Sequence, residues 1–454
     1  MPMHRSIDRT RLAALHDAER KFFEEAHPRS RELALEARRS LLSGVPMPWM
    51  TRWPGSFPLT VASAEGSRFV DVDGIEYDDF CLGDTGAMTG HALPSVAEAL
   101  HNQARRGITT MLPSADATWV ADELARRFGL PKWQMALSAT DANRFVLRLS
   151  RMLTGRPKVC VMDWCYHGTV DETLAIIASD GAVVSRPGAV GPQVAPSLTT
   201  KVVPFNDAGA LESALAAGDV ACVLMEPALT NIGIVLPEPG YLEEVRRITR
   251  QAGTLLIIDE THTICAGPGG CTMEWNLDPD FFVIGKPIGG GMPAAAYGMS
   301  AAVASMLEDR LSTDDVDVSG IGGTLTGNAL SLAAVRATLS ATLRDEDFRR
   351  MIPLAVAWTD GVKNAYEAAG LPWHVQRLGC RAEYWFCPPP KTGADAAAAV
   401  DHELDSFLHL YALNRGILMT PFHNMALFSP LHTMAQVDHH SEVFASAVEA
   451  LTSA

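Results

Sequence analysis

Positive charge is scarce in this 454-residue chain: 37 Lys and Arg stand against 53 Asp and Glu, a formal charge of -16, and only seven of the cations are lysines. With no basic stripe, that balance argues against a general binder of nucleic acid or of anionic membrane surfaces, since both need Lys and Arg concentrated on one face. No stretch reaches the roughly 20 apolar residues that a bilayer-spanning helix needs. The opening Met-Pro-Met-His-Arg-Ser-Ile-Asp passes directly into a charged helical pattern, without the apolar core of a signal peptide. The eight cysteines, at 81, 160, 165, 222, 265, 271, 380 and 387, are scattered through apolar segments, which reads as buried free thiols in a reducing compartment. A cytoplasmic location is therefore expected. No repeat and no low-complexity run occurs. No Gly-Lys-Ser/Thr closes a nucleotide loop, and the glycines at 289–291 and 322–323 follow no strand in the dinucleotide-binding order.

What is present is organised. The length allows one large domain with an appendage, or two to three ordinary domains. Residues 8–42 carry apolar side chains at helical spacing and predict one or two amphipathic helices. Residues 44–58 break that pattern with four prolines around Met47, Trp49, Met50 and Trp53, as a loop packed on a core or partner would, or as a substrate-pocket wall. Alternation from Arg68 to Phe80 around Asp73-Gly74 predicts a hairpin. Apolar runs at 133–137, 159–162, 201–203, 220–225, 255–258 and 281–284 alternate with helical patterns at 142–153, 211–217 and 241–252. Near-continuous apolar strands between amphipathic helices imply an α/β domain whose mostly parallel central sheet is covered by helices on both faces. Long helical patterns after about Leu330, and an antiparallel-looking stretch from Leu378 to Cys387, suggest a smaller α+β lobe. The expected division is 1–75 (helices and hairpin joining the small domain), 76–330 (large domain) and 331–454 (small domain).

In such a sheet ligands sit beyond the carboxyl ends of the strands. Asp259 and Glu260 follow the 255–258 run, where the alternative is a turn or capping acid. Lys286 follows the 281–284 run, fixed between Gly285 and Pro287, where partial desolvation favours the neutral amine that a Schiff base requires. Ser138-Ala139-Thr140-Asp141-Ala142-Asn143 follows the first run and opens a helix, either a phosphate cradle or an ordinary N-cap. Tyr166-His167-Gly168 follows the 159–162 run, offering a ring that stacks on a planar cofactor or simply a core tyrosine. A lysine for an aldehyde, a carboxylate for a ring nitrogen, a helix terminus for a phosphate and an aromatic face are the needs of pyridoxal 5'-phosphate (PLP). His262, Cys265, Cys271 and Glu260 match no common metal-ligand spacing, so no metal is expected.

On these residues, with Gly90-His91, Glu226-Pro227 and Gly323-Thr324-Leu325-Thr326-Gly327-Asn328, the chain resembles the class III aminotransferases of the fold type I PLP enzymes, a group that also contains glutamate-1-semialdehyde aminomutases. The resemblance implies that Lys286 bonds the coenzyme and shuttles the proton, Asp259 pairs with the pyridine nitrogen, and Tyr166 stacks on the ring. It implies that Ser138, Ala139 and Thr140 hold the phosphate, that Thr324 reaches it from a second subunit, and that His167, Glu226 and Thr261 complete the cofactor site. A site shared in this way implies a homodimer.

Three departures from the family pattern stand out. Ala139 replaces the usual glycine of the phosphate motif. Thr261, where valine usually packs under the ring, is followed by His262, either a hydrogen-bonding partner near the ring or a satisfied loop histidine. No arginine aligns for the substrate carboxylate; Arg52, Arg377 and Arg381 are candidates. Trp49, Arg52, Trp53 and His423 are the expected substrate residues. The expected activity is ping-pong transamination between an amine or amino acid with a bulky apolar group and a keto acid. The alternatives are a 2,1-aminomutase of the glutamate-1-semialdehyde type, or a non-catalytic ligand sensor, for which residues 1–45 are too short to supply a DNA-binding module.

Overall fold

The structure is a computed structural model and describes residues 7–311 and 320–453. Residues 1–6, the opening of the charged start read above, lie outside the described residues. The chain forms two compact units. One comprises Pro94–Asp345 and Pro390–Ala398, the other Met1–Leu93, Glu346–Pro389 and Ala399–Ala454.

The first unit is built on a seven-stranded sheet. Its order is Lys132–Ala136, Ala295–Met299, Phe281–Ile284, Leu255–Asp259, Val220–Met225, Lys158–Met162, Thr200–Val203. The last five pair in parallel, and Ala295–Met299 runs antiparallel to both of its neighbours. Six strands therefore end on the same edge. Val220–Met225 and Phe281–Ile284 are buried at every position, as strands covered on both faces must be. The Ala139–Thr154 helix buries Ala142, Phe145, Val146 and Leu149 against the sheet; Ser138 caps its start and Gly155, in left-handed backbone, ends it.

The second unit holds the predicted hairpin, Arg68–Asp71 with Glu76–Asp79, in a four-stranded sheet with Val61–Glu65 and Ile417–Leu418. A three-stranded sheet joins His374–Leu378, Arg381–Trp385 and Met425–Leu427. The two N-terminal helices, Arg9–Ala26 and Pro28–Ala37, occur as predicted, and Phe23 packs into a core with Phe69, Tyr77, Leu410 and Leu413. Seven cysteines are buried and Cys387 is partly so; all eight are free thiols. No helix among the described residues is long and apolar enough to cross a membrane.

Candidate active site at the carboxyl edge of the large sheet

Asp259 ends its strand with its carboxylate buried. One oxygen accepts from Asn143 Nδ2 (2.8 Å) and lies 2.9 Å from His167 Nδ1; the other accepts the Thr261 backbone N–H (3.1 Å). Burial alone would raise this carboxyl. The hydrogen bond and charge of His167, with Thr261 and Asn143, override that and hold it at about 2. Burial likewise lowers His167, but Cys165 and Asp259 outweigh it and raise the imidazole well above its ordinary value. Asp259 is thus a fixed anion with a cationic partner behind it.

Asn143 was quoted in the motif but given no role by sequence. It sits on the buried stripe of its helix and bridges Asp259 to the His167 carbonyl (3.2 Å). A polar amide on a mostly apolar helical face was the signal available.

Lys286 follows Phe281–Ile284, the strand adjacent to that of Asp259, in register Asp259↔Val283. Its φ of 45° is left-handed, a conformation costing a non-glycine residue about 1–2 kcal/mol, the kind of local strain that collects at functional sites. Its Nζ lies 2.8 Å from His262 Nε2. Just before it, Gly285 permits close approach to the start of the Ala139–Thr154 helix, since a Cβ there would stand 3.0 Å from Ala139 Cβ. Ala139 itself has no left-handed backbone and begins the helix normally.

At that helix start the Ser138 hydroxyl accepts from Asp141 N (3.2 Å), and Thr140 Oγ1 accepts from Thr169 N (3.2 Å). Gly168, φ 83°, lies so close that a Cβ would stand 2.1 Å from Thr140 Oγ1. The first-turn N–H groups and the helix dipole make this end receptive to an anion. Glu226 is buried one residue beyond the registered pair Met225↔Ile258, hence beside Asp259, and Thr230 donates to it. Tyr166 is partly buried in the same loop as His167, and Thr324 is exposed in a turn.

Glu260, paired with Asp259 in the sequence reading, has a different task. It is fully buried and accepts from Thr263 Oγ1, Cys271 N, Thr272 N and Thr272 Oγ1, pinning the glycine-rich loop that follows.

Arg186 was missed. Its guanidinium lies over the Trp164 ring, 5.6 Å from the centroid, and donates to the Cys165 carbonyl (2.9 Å) and to the Asn231 side-chain oxygen (2.7 and 2.9 Å). It stands near enough to Tyr166 and Glu226 to feel their charges.

The expected substrate residues belong to the other unit. Trp49 is exposed, edge-on to Phe422 with ring centroids 5.3 Å apart, and Arg52 ends the same short helix, exposed. Trp53 is half-buried. His423 is buried with Nδ1 3.1 Å from Glu383, which also neighbours the buried Arg381 at 3.4 Å. Arg377 donates to the Gly379 carbonyl.

The arrangement suits PLP. Buried Asn143 Oδ1 has no hydrogen-bond partner among the described residues, polar capacity left around an anionic carboxylate, a lysine and a phosphate-receptive helix end. The fold and this edge together define a fold type I PLP enzyme. The class III aminotransferase family model matches residues 49–444, and the chain belongs to that family. A glutamate-1-semialdehyde 2,1-aminomutase of Sorangium cellulosum is 35% identical over 413 residues, 88% of this chain and 91% of that protein. A crystal structure of a glutamate-1-semialdehyde-aminomutase from Pseudomonas aeruginosa PAO1, a lysine-to-alanine variant in complex with PMP, is 48% identical with a TM-score of 0.96, covering 98% of this chain and 99% of that one. An omega-transaminase from Sphaerobacter thermophilus is 28% identical with a TM-score of 0.83, covering 93% and 97%. The chain is a PLP-dependent enzyme of the class III family.

Proposed function

We propose that this enzyme is an aminomutase of the glutamate-1-semialdehyde 2,1 type, exchanging an amino group and a carbonyl between adjacent carbons of one substrate. The observation that carries the chemistry is the pair Lys286 and Asp259, on neighbouring parallel strands at one sheet edge. The choice of aminomutase rests on the relatives bearing that name, above all the one 48% identical over nearly the whole chain.

PLP, when bound, supplies an aldehyde and a ring that accepts electrons from the substrate carbon. Lys286 provides the amine for that aldehyde and carries the proton between substrate carbons. Asp259, kept anionic by His167 and Asn143, holds the proton on the ring nitrogen. Ser138, Ala139 and Thr140 would hold the phosphate, Tyr166 would supply the stacking face, and Glu226 and Thr261 would complete the surroundings. Thr324 meets the phosphate of a second copy, so that a homodimer shares its sites in the cytoplasm.

A second reading, transamination of an amine with a bulky apolar group, is favoured by the exposed Trp49–Phe422 pair and by the likeness to an omega-transaminase. One experiment separates the two. Purified holoprotein is given glutamate-1-semialdehyde, or a panel of amines, with no amino acceptor. An aminomutase converts the first repeatedly to the isomeric amino ketone; a transaminase turns over once per site and releases a carbonyl product. Lys286→Ala should abolish either activity and remove the borohydride-trapped adduct; retained turnover would refute the assignment of this lysine.

A further inference from the structure

We propose that His262 is the proton acceptor for the Lys286 amine, an acid–base partner built into the coenzyme site; this rests on the reading of Lys286 given above. The contact is direct, 2.8 Å from Lys286 Nζ to His262 Nε2. It follows from the sheet. Asp259 and Val283 are registered across parallel strands, His262 lies three residues beyond one and Lys286 three beyond the other, and the Glu260 N–H bond to the Val283 carbonyl (2.8 Å) locks the two chain segments as they leave the sheet. His262 occupies the N-cap position of the short Thr263–Ala266 helix, yet its side chain makes no capping bond; it turns to the lysine instead. Thr261 and Thr263 on either side are buried, which fixes the backbone that carries the ring.

Two cations do not share a hydrogen bond of this length, so the pair does not carry both protons at once. An ammonium at Lys286 donates to the Nε2 lone pair of an imidazole whose other nitrogen bears its hydrogen. Transfer breaks one N–H bond at Nζ and forms one at Nε2, leaving a neutral amine and an imidazolium; the reverse step returns the proton. The amine needs its lone pair to attack an aldehyde or to take a proton from carbon. His262 therefore supplies a local destination for the proton that Lys286 must lose each time it acts.

The test uses apoprotein of the wild type, His262→Ala and His262→Gln, mixed with PLP at one near-neutral pH. Coenzyme affinity is read by fluorescence quenching, and bond formation to the lysine by stopped-flow visible absorbance. We expect both variants to keep affinity within several-fold while bond formation slows by roughly 10²-fold. Gln retains a hydrogen-bond acceptor without a basic nitrogen, so it should be no faster than Ala. Added imidazole should restore the Ala variant in proportion to its concentration. A native rate in His262→Ala, full rescue by Gln, or no response to imidazole would overturn the proposal. Borohydride trapping and peptide mapping on the same samples separate the two claims. An adduct at Lys286 with unaltered rates defeats the role of His262 alone, whereas an adduct on another lysine defeats the reading of Lys286 beneath it.

Discussion

Replacing His167 by Gln removes the charge that faces Asp259 while keeping a hydrogen-bond donor of similar reach. In the native enzyme Asp259 is held at about 2 against an ordinary 3.8, although burial pushes the other way. That displacement corresponds to about 2 kcal/mol, and His167 is foremost among the groups producing it. The imidazole is raised well above 6.5. A raised histidine contributes stability that is fully present below its unfolded value and is lost as pH rises through its folded value. The depressed aspartate contributes above 3.8 and loses its share as pH falls toward 2. The native apoprotein should therefore exceed His167→Gln in unfolding free energy by about 2 kcal/mol near pH 6, with the gap closing in alkaline solution. Urea unfolding of both proteins from about pH 6 to 10 measures it. A gap that is absent at pH 6, constant across the range, or widening with alkali would refute the ion pair.

Other substitutions probe the remaining parts of the edge. Asp259→Asn should cut turnover by roughly 10²–10³-fold, because a neutral amide cannot hold the ring proton; steady-state rates at matched coenzyme occupancy decide it, and an unchanged rate removes Asp259 from that role. Gly168→Ala adds a Cβ 2.1 Å from Thr140 Oγ1 at a φ of 83° and should cost about 2–4 kcal/mol with weakened coenzyme binding. Gly155→Ala, left-handed but with nothing within 4 Å, is its control at about 1 kcal/mol; equal losses in thermal unfolding would show that the contact with Thr140 is unimportant.

The parallel part of the large sheet was legible because strands buried on both faces are continuous apolar runs: Val220–Met225 and Phe281–Ile284 fall where the sequence places them. Ala295–Met299 was not. Its Ala-Ala-Tyr-Gly-Met has no β-branched residue, and Gly298 is required by packing, since a Cβ there would lie 2.7 Å from the Trp133 ring. The Ala139–Thr154 helix begins before the apolar pattern that reveals it, because its first turn is spent on the cap and on the open helix end.

Within the site, legibility follows how far apart in the chain the partners lie and what joins them. Lys286 and Asp259 were visible because each is an ionisable residue directly beyond an apolar run. The contact between Lys286 and His262 was not, because it depends on the register of two parallel strands, and the runs alone fix no register. Among the expected substrate residues, which belong to the other unit, the pairing is longer in range still. His423 gives its ring to Glu383, and Trp49 meets Phe422 across most of the chain's length. A buried imidazole already engaged by a carboxylate can bind a substrate anion only if that carboxylate yields, so residue type alone made His423 look more available than its surroundings allow. Arg186 shows the converse. It stands in an ordinary Ser-Arg-Pro sequence, yet the fold sets its guanidinium over the Trp164 ring and on the Cys165 carbonyl. The residues at the large sheet's edge are thus written in short segments, whereas those expected to meet substrate, in the other unit, depend on tertiary neighbours that no local pattern records.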